Sequence, residues 1–164
     1  MLTRLDNFDL HFSLGGYDFH VSNIVLEQFE RSIPRHSHSK NSYEIHYIPF
    51  GYGKASINGK DYEVTPNTLF ITGPFVEHAQ IPNCQDPMCE YCIYLKLGHS
   101  SFPVSSAPEK KLTALFKKTN FWFGQDTQDI HSLMKQLFFE LEHHYTGYSI
   151  QAESLLKQLI IKLV

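Results

Sequence analysis

At 164 residues, 42% of them hydrophobic and 19% charged, the chain has the length and composition of one globular domain with a substantial core. Fourteen Lys and Arg against seventeen Asp and Glu give a formal net charge of -3, which excludes the basic excess of a nucleic-acid-binding surface. Ten histidines, whose full protonation would carry that charge to +7, direct attention to metal, pH or ligand chemistry.

From Met1 to Leu10 there is neither a basic n-region nor an apolar h-region, so no signal peptide is expected. No apolar run approaches the roughly 20 residues that span a bilayer, and the expectation is a soluble, cytoplasmic protein without a membrane partner. Tyr17 to Phe29 reads as one long strand or a strand pair, and Tyr43 to Phe50 as a strand closed by Pro49 and Gly51. Asn58-Gly59 between Ala55-Ser56-Ile57 and Lys60 to Val64 predicts a hairpin, because a type I′ turn needs two positive φ angles. Thr68 to Thr72 and Met88 to Leu97 are further strands, separated by loops at Pro66, Gly73, Pro74, Pro82 and Pro87. Short strands at such spacing predict a mainly β, antiparallel barrel or sandwich.

Beyond Pro103 the period changes, which predicts a β unit over 1–104 and a helical unit over 105–164. Ser106 with Pro108 marks the start of a helix carrying Leu112, Leu115 and Phe116 on one face. Ile130, Leu133, Met134, Leu137, Phe138 and Leu141 form the apolar stripe of a second helix, capped by Asp126 or Thr127 and stopped by Gly147. A third helix starts at Ser149 with Ala152, Leu155, Leu156, Leu159, Ile160 and Leu163 inward, and its apolar pattern reaches Val164 without a stop signal, so more chain is expected to follow.

Chemistry concentrates in the β half. His36-x-His38-x5-Glu44-x6-Gly51 precedes a later His78, and three imidazoles and a carboxylate in one place would suit a first-row divalent ion or a polar ligand. Strand alternation puts Glu44, His46 and Ile48 on one face and Tyr43, Ile45 and Tyr47 on the other. Which face looks inward decides whether Glu44 and His46 line a cavity. Cys84-x4-Cys89-x2-Cys92 resembles a zinc spacing, but Cys89 and Cys92, three apart on a strand, face opposite sides, so ordinary thiols are the expectation. No phosphate loop, nucleophile elbow or paired catalytic carboxylates appear.

The ordered set from Pro34 through Tyr43-Glu44-Ile45-His46, Gly51-x-Gly53, the Asn-Gly hairpin, Pro66 to Ile71, Pro74 and His78 resembles the cupins, and more narrowly the N-terminal sensor domain of AraC-type transcription regulators. The resemblance covers almost the whole chain. It departs at Asn67, Gly73, Phe75 and Pro82, where cupins commonly show Gly, Pro, Gly and Asn; Phe75 would put bulk near the mouth of the barrel. The resemblance implies a cupin-type antiparallel β-barrel followed by C-terminal α-helices, with DNA bound only through a helix-turn-helix domain beyond Val164. It implies a small-molecule effector, a carbohydrate at the family level, contacted by His36, His38, Glu44, His46 and His78, with Tyr43 and Tyr47 nearby. It also implies a homodimer through Leu133, Leu137, Phe138, Phe139 and Leu141. No cofactor is required by this reading, although His36, His38, Glu44 and His78 match the cupin metal set. The alternatives are a metal-dependent cupin enzyme, a dioxygenase or isomerase with Glu44 as base, and a purely structural dimerisation module.

Overall fold

The computed structural model describes residues 2–5, as backbone only, 10–100 and 106–164. The strands are β1 (Leu2–Leu5), β2 (Leu10–Leu14), β3 (Tyr17–Gln28), β4 (Ile33–His36), β5 (Ser42–Phe50), β6 (Gly53–Ile57), β7 (Lys60–Val64), β8 (Thr68–Thr72), β9 (His78–Pro82), β10 (Cys89–His99) and β11 (Phe121–Gln125). The helices are α1 (Ala107–Lys118), α2 (Ile130–His143) and α3 (Tyr148–Lys162). All strand pairs are antiparallel and form two sheets, β1-β3-β10-β5-β8-β11 with β2 also on β3, and β4-β9-β6-β7. The expected barrel is not closed: among the described residues no ladder joins the two sheets, which face each other instead.

The larger sheet is covered on both sides, so its central strands lose the simple alternation of a half-exposed sheet, and all five residues of β8 are buried. Between the sheets lie Phe29, Ile48, Ala55, Ile57, Val64, Phe70, Val76 and Met88. On the outer face Tyr43, Ile45, Tyr47, Ile93 and Leu95 pack against the helices in a second, larger core. At Asn58 (φ 48°) and Gly59 (φ 79°) the hairpin makes the expected turn. Gly51 (φ 76°) sits so close to the chain at Pro87 that a Cβ would lie 2.3 Å from its carbonyl oxygen, which requires glycine.

Ser106 and Glu109 form a reciprocal capping box, with Pro108 in the first turn of α1. Phe116 is buried against Phe19 and Tyr43, but Leu115, expected on the same face, is exposed and Thr113 is buried in the core instead. Asp126 serves α2 from outside the helix, accepting from the Ile130 and His131 N–H groups, while the cap position itself is Asp129 in the left-handed region. His144, with φ 51°, ends α2, and Gly147 caps the start of α3 rather than stopping its predecessor.

Two corrections follow from the helices. Phe121–Gln125, within the stretch expected to be helical, is a strand paired with β8, because Phe121 and Phe123 alternate inward onto Tyr62 while Trp122 points out. Leu133, Leu137, Phe138 and Leu141, expected at a dimer contact, are buried in this chain's own core, where α2 packs on α3 and on β5. A single apolar stripe is consumed by the sheet and the neighbouring helix, and of the five residues only Phe139 is exposed. The expected division near 104 falls in residues 101–105, outside the described residues.

Candidate functional site

Glu44 and His46 on β5 point between the sheets with Ile48, while Tyr43, Ile45 and Tyr47 point to the helices. Tyr43 packs on Phe116, and the Tyr47 hydroxyl donates to Asn67 at 2.8 Å. Both tyrosines, expected near the ligand, therefore lie on the wrong face of the strand. Register brings the neighbours together: Glu44 is opposite Thr72 on β8 and Tyr94 on β10, His46 opposite Phe70 and Cys92, and His36 on β4 opposite His78 on β9.

The histidines converge on one carboxylate. His38 Nε2 lies 2.8 Å, His78 Nε2 2.9 Å and His46 Nε2 3.5 Å from the same oxygen of Glu44, Oε2. The ring of His36 stands 4.1 Å from that of His78. All five expected ligand residues are thus brought together, and single donor atoms of His36, His38, Glu44 and His78 fall within 4.8 Å of one another. Phe75 does not enter the site. It is exposed, with φ 62°, and its N–H donates to the His38 carbonyl, tying the His38 loop to the turn before His78.

The electrostatics follow from this crowding. Burial pushes the Glu44 carboxyl up, but the imidazoles of His38, His46 and His78 set against it outweigh burial and hold the group well below the usual carboxylate range. Burial opposes protonation of His46, yet the Glu90 charge, with Cys92 and Glu44 beside it, holds that imidazole well above its ordinary value. His36 is lowered, chiefly by burial. The Cys92 thiol is pushed up to about 12 by burial and by the Glu44 charge.

Several participants had no sequence motif. Glu90 is buried, its Oε1 lies 2.8 Å from His46 Nδ1, and it accepts from the Gln80 amide. The Cys92 thiol donates toward Glu44 Oε1 at 3.9 Å, and Tyr94 donates to Ser42. Alternation along β10 puts Glu90, Cys92 and Tyr94 on the inward face and leaves Cys89 on the face of Tyr91. The only sequence signal was a charged residue inside an apolar strand. With Asn23, Val25, Glu27, Ile33, His36, Glu44, His46 and Gln80 these residues line a cavity of about 180 Å³.

The His36, His38, Glu44 and His78 set fits a divalent cation on its own geometry. His78 Nδ1 must donate to the Val76 carbonyl at 3.0 Å, and His36 Nδ1 to that of Pro34 at 2.9 Å, since a carbonyl only accepts. That leaves the Nε2 lone pair of His36 for a ligand, whereas His78 Nε2, 2.9 Å from Glu44 Oε2, would exchange its hydrogen bond to the carboxylate for a bond to the ion. His38 Nε2 is buried, near Glu44, yet makes no hydrogen bond of acceptable geometry among the described residues. Bound there, such an ion would act as a Lewis acid toward an oxygen-bearing ligand.

Two facing antiparallel sheets with a small cavity of histidines and carboxylates between them, and helices over the outer face, define a mainly β, cupin-like ligand-binding domain. The chain belongs to the family of the AraC-like ligand binding domain, whose model matches residues 27–160. Similar solved structures include a cupin protein from Bacteroides fragilis, 21% identical over 60% of this chain and 84% of that one, with a TM-score of 0.40. The plu4264 protein from Photorhabdus luminescens is 21% identical over 70% of this chain and 83% of its own, with a TM-score of 0.40. A predicted oxalate decarboxylase from Thermotoga maritima is 18% identical over 59% and 92%, with a TM-score of 0.39. No curated protein matches the chain. Among the described residues no helix is long and apolar enough to cross a membrane.

Proposed function

We propose that the chain is the effector-sensing part of an AraC-type transcription regulator, acting in the cytoplasm, and that its effector is a small hydroxylated organic molecule, a sugar or sugar derivative, bound between the sheets. The observation that carries this reading is the cavity of about 180 Å³, whose wall includes Asn23 with a buried amide oxygen that has no hydrogen-bond partner among the described residues. An unpaired buried acceptor costs about 1–3 kcal/mol, and a ligand hydroxyl donating to it would recover that cost. Around it Glu44, Gln80 and Glu90 offer acceptors and a donor, and Tyr94 offers an aromatic ring. DNA would be bound through a separate helix-turn-helix domain. The effector would act by binding two arrangements of a homodimer with different affinity. For that dimer the outward side of α2 supports a contact through Phe139, stacked on His143 at 4.2 Å beside exposed Tyr145.

A thermal-shift screen with pentoses, hexoses and their acids tests the reading. Binding to the native state alone raises stability by about 2.7 kcal/mol at a hundredfold excess over Kd. The stabilisation is expected to vanish in Val25→Trp, which fills the cavity wall. Stabilisation that survives Val25→Trp in a folded variant would assign binding to another surface and overturn the reading.

A second reading, favoured by the unsatisfied Nε2 of His38, has a divalent cation held by His36, His38, Glu44 and His78. In that case the effector would bind partly through the ion, or the domain would be a metal-dependent enzyme of cupin type. Metal content after purification, together with turnover of the stabilising compounds, separates these cases.

A further inference from the structure

The two oxygens of Glu44 face two different groups of donors. Oε2 faces His38, His78 and, at 3.5 Å, His46 Nε2, whereas Oε1 faces Cys92 Sγ at 3.9 Å. Around Cys92, donor atoms of His46, Glu90 and Cys92 itself lie within 4.8 Å of one another, and all three residues line the same cavity as Glu44. His46 and Glu90 are buried, and among the described residues lining the cavity none is a lysine or arginine. Carboxylates in a low-dielectric wall need compensating positive charge, and among the described residues lining this one the imidazoles alone can carry it, unless a cation is bound.

We propose that His46, Glu90 and Cys92, with Glu44 Oε1 as the fourth donor, form a zinc site distinct from the His36, His38, Glu44 and His78 set, the Glu44 carboxylate bridging the two. A thiolate, an imidazole and two carboxylates suit Zn²⁺, which takes such mixed sets in four-coordinate, tetrahedral form. Donors about 2.0–2.3 Å from such an ion stand roughly 3–4 Å apart. Closing the site from the present spacing therefore needs side-chain shifts on the order of 1 Å. Binding replaces the His46–Glu90 hydrogen bond with two metal bonds and releases two protons to solvent, the thiol proton of Cys92 and the one held between His46 Nδ1 and Glu90. Gln80 remains bonded to Glu90 and orients it. The site does not depend on the effector reading, since it requires no organic ligand.

Cobalt is the probe, because a cysteine thiolate bound to Co²⁺ gives a charge-transfer band in the near ultraviolet that imidazole and carboxylate ligands do not. The test uses the whole chain, stripped with chelator, in the variant Cys84→Ser/Cys89→Ser. Cys84 is exposed and Cys89 lies on the opposite face of β10, so this variant keeps Cys92 as its one thiol without touching the cavity. Titration with Co²⁺ is expected to raise the thiolate band, and excess Zn²⁺ to bleach it. In His38→Ala on the same background the band is expected to persist, with metal stoichiometry falling from two ions per chain to one. Absence of the band at saturating Co²⁺ overturns the site. Loss of the band in folded His38→Ala would assign Cys92 to one shared ion and overturn the separate site.

Discussion

His46 Nδ1 lies 2.8 Å from Glu90 Oε1, and both side chains are 3% exposed, so an imidazole and a carboxylate are paired almost entirely out of water. The pair holds the imidazole flat on Phe70, with ring centroids 4.2 Å apart, and turns Nε2 toward Glu44 and Thr72. Removing either partner strands the other in the cavity wall. Glu90→Ala is therefore expected to destabilise the chain by about 3 kcal/mol. Urea denaturation measures this, and a loss below about 1 kcal/mol would show that His46 is satisfied without Glu90.

The pH dependence of stability follows from two opposite shifts. Glu44 has a folded pKa well below its unfolded value of 4.5, so its contribution is complete above that value and is lost as the pH falls beneath it. His46 has a folded pKa well above its unfolded value of 6.5, so its contribution is complete below 6.5 and declines as the pH rises toward the folded value. The chelator-stripped chain is expected to resist urea best between these values. Midpoints at about pH 5.5 should exceed those at about pH 3.5 and about pH 8.5. In Glu90→Gln the decline on the alkaline side should flatten, because the Glu90 charge is the main force raising His46.

Much of this arrangement was legible locally. The Asn58-Gly59 hairpin, the alternation of Glu44 and His46 against Tyr43 and Tyr47, and the buried stripe of α3 depend only on the chain's own period. What was not legible depends on register between distant strands. Glu90, Gln80 and Tyr94 become site residues only because β10 pairs with β5 and β9 lies across the cavity. The short strands β4 and β9, carrying Pro34 and Pro82, lack the run length that marks a strand. Sequence likewise could not tell a helix stripe that meets a sheet from one that meets a second copy, and so Leu137 and Phe138 were placed at a dimer contact.

That distinction has its own test. Leu137→Glu buries a charge in the core and is expected to cost more than about 3 kcal/mol, enough to unfold a marginal domain. Phe139→Glu, on the exposed side of α2, should change stability by less than about 0.5 kcal/mol and act on association alone. Circular dichroism with sedimentation equilibrium separates the two effects. A folded Leu137→Glu variant that dissociates a dimer would return that residue to the interface.

Amide chemical shifts of the ¹⁵N-labelled chain, followed while pentoses and hexoses are titrated in, report directly on whether the space between the sheets is a binding site. At least one such molecule should produce saturable shifts centred on Asn23, Glu44, Gln80 and Tyr94, and the same titration on Val25→Trp should leave them unmoved. Saturable shifts confined to other surfaces, or a full panel that leaves these four amides unmoved in the wild type, would contradict a sugar-binding cavity at this place.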